Sequence, residues 1–223
     1  MSEQKEEGIV LKATPYQESS RILSLFTKNS GIISIIAKRL SPKKSTLINL
    51  TTPLCRAEFI YRKGKSSLYR FIDGSILDLH LPLRQSYLNL KTASDLLKLV
   101  SASQLPEKPA PHLYQLLSLS LKKMPLFSDP SVLFSAFQLK LLKHEGLLSI
   151  GRVCNRCQQN PPKYLHQGEG ICVQCEKGGR ISFSEKEWQT LLDLLSVRSF
   201  EALTAIELSS HLQKKIINSL QTV

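Results

Sequence analysis

Four cysteines carry the clearest chemistry in this 223-residue chain. Cys154–Asn155–Arg156–Cys157 and Cys172–Val173–Gln174–Cys175 are two C-x-x-C pairs separated by the loop Gln158–Ile171. Each pair turns two sulfurs toward one centre. The loop returns the second turn opposite the first, which builds a tetrahedral four-thiolate site of the kind that takes one Zn2+ ion. Four protein ligands leave no position for water, so the expected ion is structural and not catalytic. Residues 151–179 hold too little apolar material to fold without it. An iron–sulfur cluster is the chemical competitor. Disulfides are disfavoured, because the polar, acidic start Met1–Glu7 carries no signal peptide and cytoplasmic thiols stay reduced. His166 reads as a loop histidine, and Cys55, alone in an apolar run, as a small buried hydrophobe.

The chain carries 30 Lys+Arg against 18 Asp+Glu, a formal net charge of +12. The excess is concentrated: Lys38–Arg70 holds nine basic residues and one acid, Glu58. Such a field points to a polyanion, and nucleic acid is the commonest. The candidate contacts are Lys38, Arg39, Lys43 and Lys44 on one loop, with Arg62, Lys63, Lys65 and Arg70 on or beside the next hairpin. The competing reading is a solvated basic surface. Charge alone supports attraction to phosphate, without base reading.

These cations need elements to position them. Gly8–Ala13, Arg21–Thr27, Ile32–Ala37, Thr52–Arg62 and Ser67–Leu77 read as five strands with turn signals between most of them. Five strands of this length close into a small barrel. With a basic surface it suggests an OB-fold, and an SH3-like barrel fits the strand pattern almost as well. Phe59 and Tyr61 alternate with Glu58 and Arg62, which places them in the core. Tyr69 and Phe71 share a face with Ser67 and Asp73, so partial exposure is expected there.

After His80 the apolar period changes to that of helices. Leu83–Gln104 is one, with Leu88, Ala93, Leu96, Leu97 and Val100 as its buried stripe. Pro111 opens a second. Asp129 caps a third, with Pro130 at its first position and Gly146 at its end; its apolar residues are too many for one stripe, so it should be central. Ser184–Glu187 is a capping box for the helix containing Trp188, and helices follow at 201–208 and 210–220. The expected fold class is α+β: an OB-fold barrel over 1–80, an α-helical domain over 81–150 and 181–223, and a zinc-binding insert over 151–180.

No phosphate-binding glycine loop, H-E-x-x-H or nucleophile-elbow motif occurs in the chain, and no apolar run reaches the length of a membrane span. A binding role is the better expectation than an enzyme, with no small-molecule substrate and no membrane partner. Two other classes stand beside a DNA-binding protein. One is an RNA-binding or ribosome-associated zinc-ribbon protein. The other is a nucleic-acid-modifying enzyme whose zinc orders a substrate loop.

The order of these features resembles the RecO family of bacterial DNA repair proteins. The matching stretches are Gly8–Ile9–Val10–Leu11, the hairpin from Phe26–Thr27–Lys28 through Gly31–Ile32–Ile33 to Ala37–Lys38, and the loop ending Pro42–Lys43–Lys44–Ser45. Phe137–Gln138–Leu139–Lys140–Leu141–Leu142 and Gly146, leading into the cysteine pairs, complete the resemblance. Arg39 stands where the family's strand usually ends in glycine. The C-terminal helix is also poorer in arginine than is common there. The resemblance implies a cytoplasmic, nucleoid-associated recombination mediator that binds single- and double-stranded DNA. It implies annealing of complementary strands coated with the single-strand binding protein SSB, and loading of the recombinase RecA together with RecR. It also implies that the helical domain docks the acidic C-terminal tail of SSB.

Overall fold

The computed structural model describes residues 3–38, 45–64, 68–176 and 181–220. They divide into two compact units, Met1–Pro125 and Leu126–Val223.

The first unit is built on a closed five-stranded barrel. Its strands are β1 (Glu3–Tyr16), β2 (Ser20–Thr27), β3 (Gly31–Ala37), β4 (Arg56–Lys63) and β5 (Tyr69–Asp78), and their order around the barrel is β1-β2-β3-β5-β4. All neighbours are antiparallel except β3 and β5, which run parallel and pair at Ile35–Tyr69 and Ile36–Arg70. A short helix, α1 (Ser45–Leu50), stands between β3 and β4. This Greek-key order is that of an OB-like barrel and settles the choice against an SH3-like one. The sequence pattern did not reveal α1.

The alternation along the strands explains the core. Val10, Leu23, Leu25, Ile33, Ile35, Ala57, Phe59 and Tyr61 point inward and are buried. Tyr69 and Phe71 lie half-buried against them, edge-on to Tyr61 at 5.2 Å and to Phe59 at 6.5 Å between ring centroids. Both rings therefore pack against the barrel core while staying partly exposed, as the sequence pattern predicted. Cys55 is fully buried as a free thiol in this core, and burial pushes it up to about 11.

Two adjacent acids on β1 fasten the barrel. Glu6 is buried and accepts from the Tyr61 hydroxyl at 2.8 Å and from the backbone N–H groups of Asn29 and Ser30 in the β2–β3 turn. Glu7 pairs with Arg56 at 2.8 Å and accepts from the Tyr114 hydroxyl at 3.0 Å. Tyr114 belongs to α3 (Pro111–Lys123) and also meets Phe26 edge-on at 5.6 Å. With α2 (Tyr87–Ser103) touching β1, this tie joins α2 and α3 to the barrel within the first compact unit. Thr92, Ala93, Leu96, Leu97 and Val100 are buried on α2. Leu88, expected in that stripe, is 46% exposed, because it sits in the first turn, beyond the reach of the barrel.

The second unit is helical. Its central α4 (Pro130–His144) carries buried residues on nearly every side and packs with α5 (Glu185–Ser196), α6 (Phe200–Thr204) and α7 (Ser210–Leu220). Asp129 caps α4 by accepting from the Ser131 N–H at 2.9 Å, and Gly146 follows the helix with φ of +74°, a conformation that glycine adopts without strain. The capping box of α5 is closed in both directions by Ser184 and Glu187. Glu187 is also held by Lys215 of α7 at 2.8 Å. No helix among the described residues is long and apolar enough to cross a membrane.

Candidate metal centre and basic barrel face

Between α4 and α5 a small hairpin, β6 (Tyr164–His166) and β7 (Glu169–Ile171), carries the cysteine turns. The hairpin is anchored where α4 ends: Ser149 N–H donates to the Gly168 carbonyl at 2.7 Å and Gly170 N–H returns to the Ser149 carbonyl at 3.0 Å. On the other side Trp188 of α5 donates from Nε1 to the Gly151 carbonyl at 2.9 Å, and its ring fills the space that a side chain at Gly170 would take.

The first turn is closed by Gln158 N–H to Cys154 O at 2.9 Å, the second by Cys175 N–H to Cys172 O at 3.2 Å. These bonds bring Cys154, Cys157, Cys172 and Cys175 together, with all four Sγ atoms within 4.8 Å of one another. Cys157 and Cys172 stand 3.7 Å apart. A disulfide needs about 2.0 Å, so this pair is not bonded. Sulfurs placed about 2.3 Å from one ion at tetrahedral angles stand about 3.8 Å apart, which this spacing matches. An iron–sulfur cluster interposes its own core and needs its cysteines farther apart.

The electrostatics agree with the spacing. Burial raises the Cys154 thiol, but the N–H groups of Cys157, Cys172 and Arg156 outweigh it and draw the thiol down to about 6. The N–H groups of Asn160 and Gln159 hold Cys157 below its ordinary range. Cys175, hydrogen-bonded to the Cys172 sulfur and crowded by the others, is pushed up to about 12. Four thiolates this close conflict unless a cation lies among them, so the donor set fits a single soft divalent ion. Cys154 and Cys172 are buried, Cys157 and Cys175 half-buried. His166 lies in β6, outside the sulfur cluster.

The cations of the barrel sort into two groups. Lys5 is paired with Glu58 at 3.1 Å and Arg56 with Glu7, while Arg21 donates to the Thr51 hydroxyl at 3.0 Å. These serve the barrel itself. Lys38, Arg62, Lys63 and Arg70 are exposed, and none makes an ion pair among the described residues. The register gathers them. Arg62 faces Arg70 across β4–β5, Lys63 faces Tyr69, and Arg70 lies level with Ile36, so Lys38 follows at the end of β3. Glu3 of β1, level with Arg62, is the one acid in that row among the described residues. Arg39, Lys43, Lys44 and Lys65 lie outside the described residues.

The sequence reading missed Glu6, Glu7 and Tyr114 as the fasteners of the barrel. The charged pair at the start of a strand was a signal, since adjacent strand residues face opposite ways and both acids found separate partners.

Residues 1–80 match the family model described as Recombination protein O N terminal, and residues 84–222 match Recombination protein O C terminal. The chain is 27% identical over 201 residues to the DNA repair protein RecO of Chlamydia pneumoniae, covering 89% of this chain and 79% of that one. Its identity to the DNA repair protein RecO of Clostridium acetobutylicum is 26% over 223 residues, 97% of this chain and 89% of that one. The similarity to the protein of the same name from Moorella thermoacetica is 31% over 153 residues, 69% of this chain and 57% of that one.

Proposed function

The chain belongs to the RecO family, and on that footing we propose that it is a cytoplasmic, non-enzymatic DNA-binding mediator of recombinational repair. In this reading it binds single- and double-stranded DNA, anneals complementary strands coated with SSB, and acts with RecR to load RecA. The observation that carries it is the row of exposed cations on the outside of the OB-like barrel, with Arg62 directly opposite Arg70.

Like charges directly opposed across a ladder destabilise a sheet. Here they stand without an ion-pair partner among the described residues, an arrangement that a phosphate between them relieves. Lys38 and Lys63 flank the pair, and Arg39, Lys43, Lys44 and Lys65 extend the same charge in the sequence. The charge is the stronger feature of this face, since Tyr69 and Phe71 are half-buried against the core, so contact is to the sugar–phosphate chain and carries no base preference.

Annealing follows from the same charge. Two complementary strands repel until their phosphates are neutralised. Cations that displace counterions from both strands lower that barrier, and base pairing then supplies the driving force. The four-thiolate centre contributes no step. Its cysteines, holding Zn2+, cross-link the segment between α4 and α5 and leave no open position for substrate. The SSB tail, acidic and apolar, is assigned to the helical region.

The test is annealing of SSB-coated complementary oligonucleotides, with zinc measured on the same preparation and binding to DNA and RNA of one sequence compared across salt. Accelerated annealing with a steep salt dependence of DNA binding supports the reading. No annealing, together with a clear preference for RNA, overturns it.

A further inference from the structure

Asn160 touches both halves of the thiolate centre. Its carbonyl oxygen accepts from the Cys154 N–H at 2.8 Å, inside the first turn. Its side-chain Nδ2 donates to Cys157 Sγ at 3.9 Å and to Gln174 Oε1 at 3.0 Å. Gln174 sits between Cys172 and Cys175, so the second bond crosses to the other turn. The amide orientation is set by the Cys157 sulfur: reversed, the Asn160 oxygen would face a thiolate.

We infer that Asn160 is the positioning residue of this centre: it locks the two cysteine turns in register and sets how firmly a metal ion is held. The inference rests on the metal-centre reading of the four cysteines. A donor on a ligating sulfur draws charge from it and fixes its direction, and such outer hydrogen bonds commonly govern metal affinity by tenfold or more. Alanine removes both side-chain bonds but keeps the backbone one. Aspartate keeps the shape but places an anion against the Cys157 sulfur, while Gln174 can still rotate its amide to meet it.

The full-length chain is loaded with Zn2+ or with Co2+, and Asn160→Asp, Asn160→Ala and Gln174→Ala are compared. Zn2+ affinity is read by competition with a chromophoric chelator, and sulfur-to-metal charge transfer by the Co2+ absorption. N160D should bind Zn2+ about 10- to 100-fold more weakly, with N160A between it and the parent. The charge-transfer band of N160A should move to lower energy, because its sulfur no longer has that donor, while that of Q174A should not move. N160D with parental affinity, or N160A with an unmoved band, overturns the assignment. If N160D fails to fold, the band of N160A decides. A parent chain that takes up neither ion removes the centre itself, a different failure from that of Asn160.

Discussion

Arg62 and Arg70 face each other across the β4–β5 ladder, on the outer surface of a barrel whose Lys5 and Arg56 are each held in an ion pair. For folding this opposition is a cost, and for holding phosphate it is a gain. The two effects predict opposite signs. Replacing both arginines by serine should leave the melting temperature equal or higher. The slope of log affinity against log salt for single-stranded DNA should fall by about 1.4, roughly 0.7 for each phosphate no longer neutralised. An unchanged slope would remove this pair from the interface. Adding neutral substitutions at Lys38, Arg39, Lys43 and Lys44 should flatten it further.

The thiolate centre should matter to stability and to no chemical step. Cys157→Ser breaks the ligand set at a half-buried position, so metal content should fall and the helical unit should melt at lower temperature. Trp188, the chain's only tryptophan, packs against Gly170 two residues before Cys172, so its fluorescence reports this region directly. Chelation of the parent chain should change that emission in the same way as the substitution. Identical emission and melting in both states would mean that no ion braces the segment.

Glu6 offers a test of the barrel alone. Its carboxylate receives the Tyr61 hydroxyl and two turn N–H groups, and it is 8% exposed. Glu6→Ala would leave the Tyr61 hydroxyl and the Asn29 N–H without that acceptor, while the Ser30 N–H keeps Thr27 Oγ1 at 3.2 Å, at roughly 1–3 kcal/mol for a buried group left unsatisfied. Urea unfolding should show a decrease in that range or above it, and Glu6→Gln, which keeps an acceptor oxygen, should be affected less. Equal stability of E6A and the parent would mean that water replaces the carboxylate.

What could be read from the sequence follows the range of the interactions. The barrel strands, the Asp129 cap, the capping box at Ser184 and the cysteine turns are set by neighbours a few residues apart, and each is found close to where local pattern placed it. However, β1 extends over Glu3–Tyr16 beyond the expected Gly8–Ala13, and β4 begins at Arg56 and not at Thr52. Interactions across long separations were not legible. Tyr114 reaches Glu7 from α3, and nothing near Tyr114 in the chain announces it. Leu88 carries the right period but stands beyond the surface that would bury it. Asn160, beside two prolines, reads as loop, and its bonds to both turns exist only once the hairpin β6–β7 has folded. The charge on the barrel was visible, whereas the opposition of Arg62 and Arg70 depends on a bulge in register between Ile60 and Tyr61.

His80 gives the first unit a dependence on pH whose sign can be worked out. It is 3% exposed, has a φ of 48°, and approaches the Leu54 carbonyl from Nδ1 at 2.8 Å. That carbonyl can only accept, so the neutral ring carries its proton on Nδ1. Nε2 has no hydrogen-bond partner among the described residues and stands 3.7 Å from Asp78. Burial lowers the ring below its ordinary 6.5; Arg56 and Arg84 push the same way, and Asp78 with the Leu54 carbonyl opposes them without prevailing. Above 6.5 the ring is neutral in both folded and unfolded chains and contributes no slope. As pH falls through that value the unfolded chain takes up a proton that the folded chain resists, so stability declines until the folded pKa is reached. His80→Asn keeps a donor and tolerates the left-handed backbone, but cannot titrate. Melting temperatures of the parent and of H80N should therefore diverge on acidification from about pH 7 toward about pH 5, the parent falling further. Parallel curves would mean that His80 takes its proton in the folded barrel as readily as in the open chain, which burial and an unpartnered Nε2 argue against.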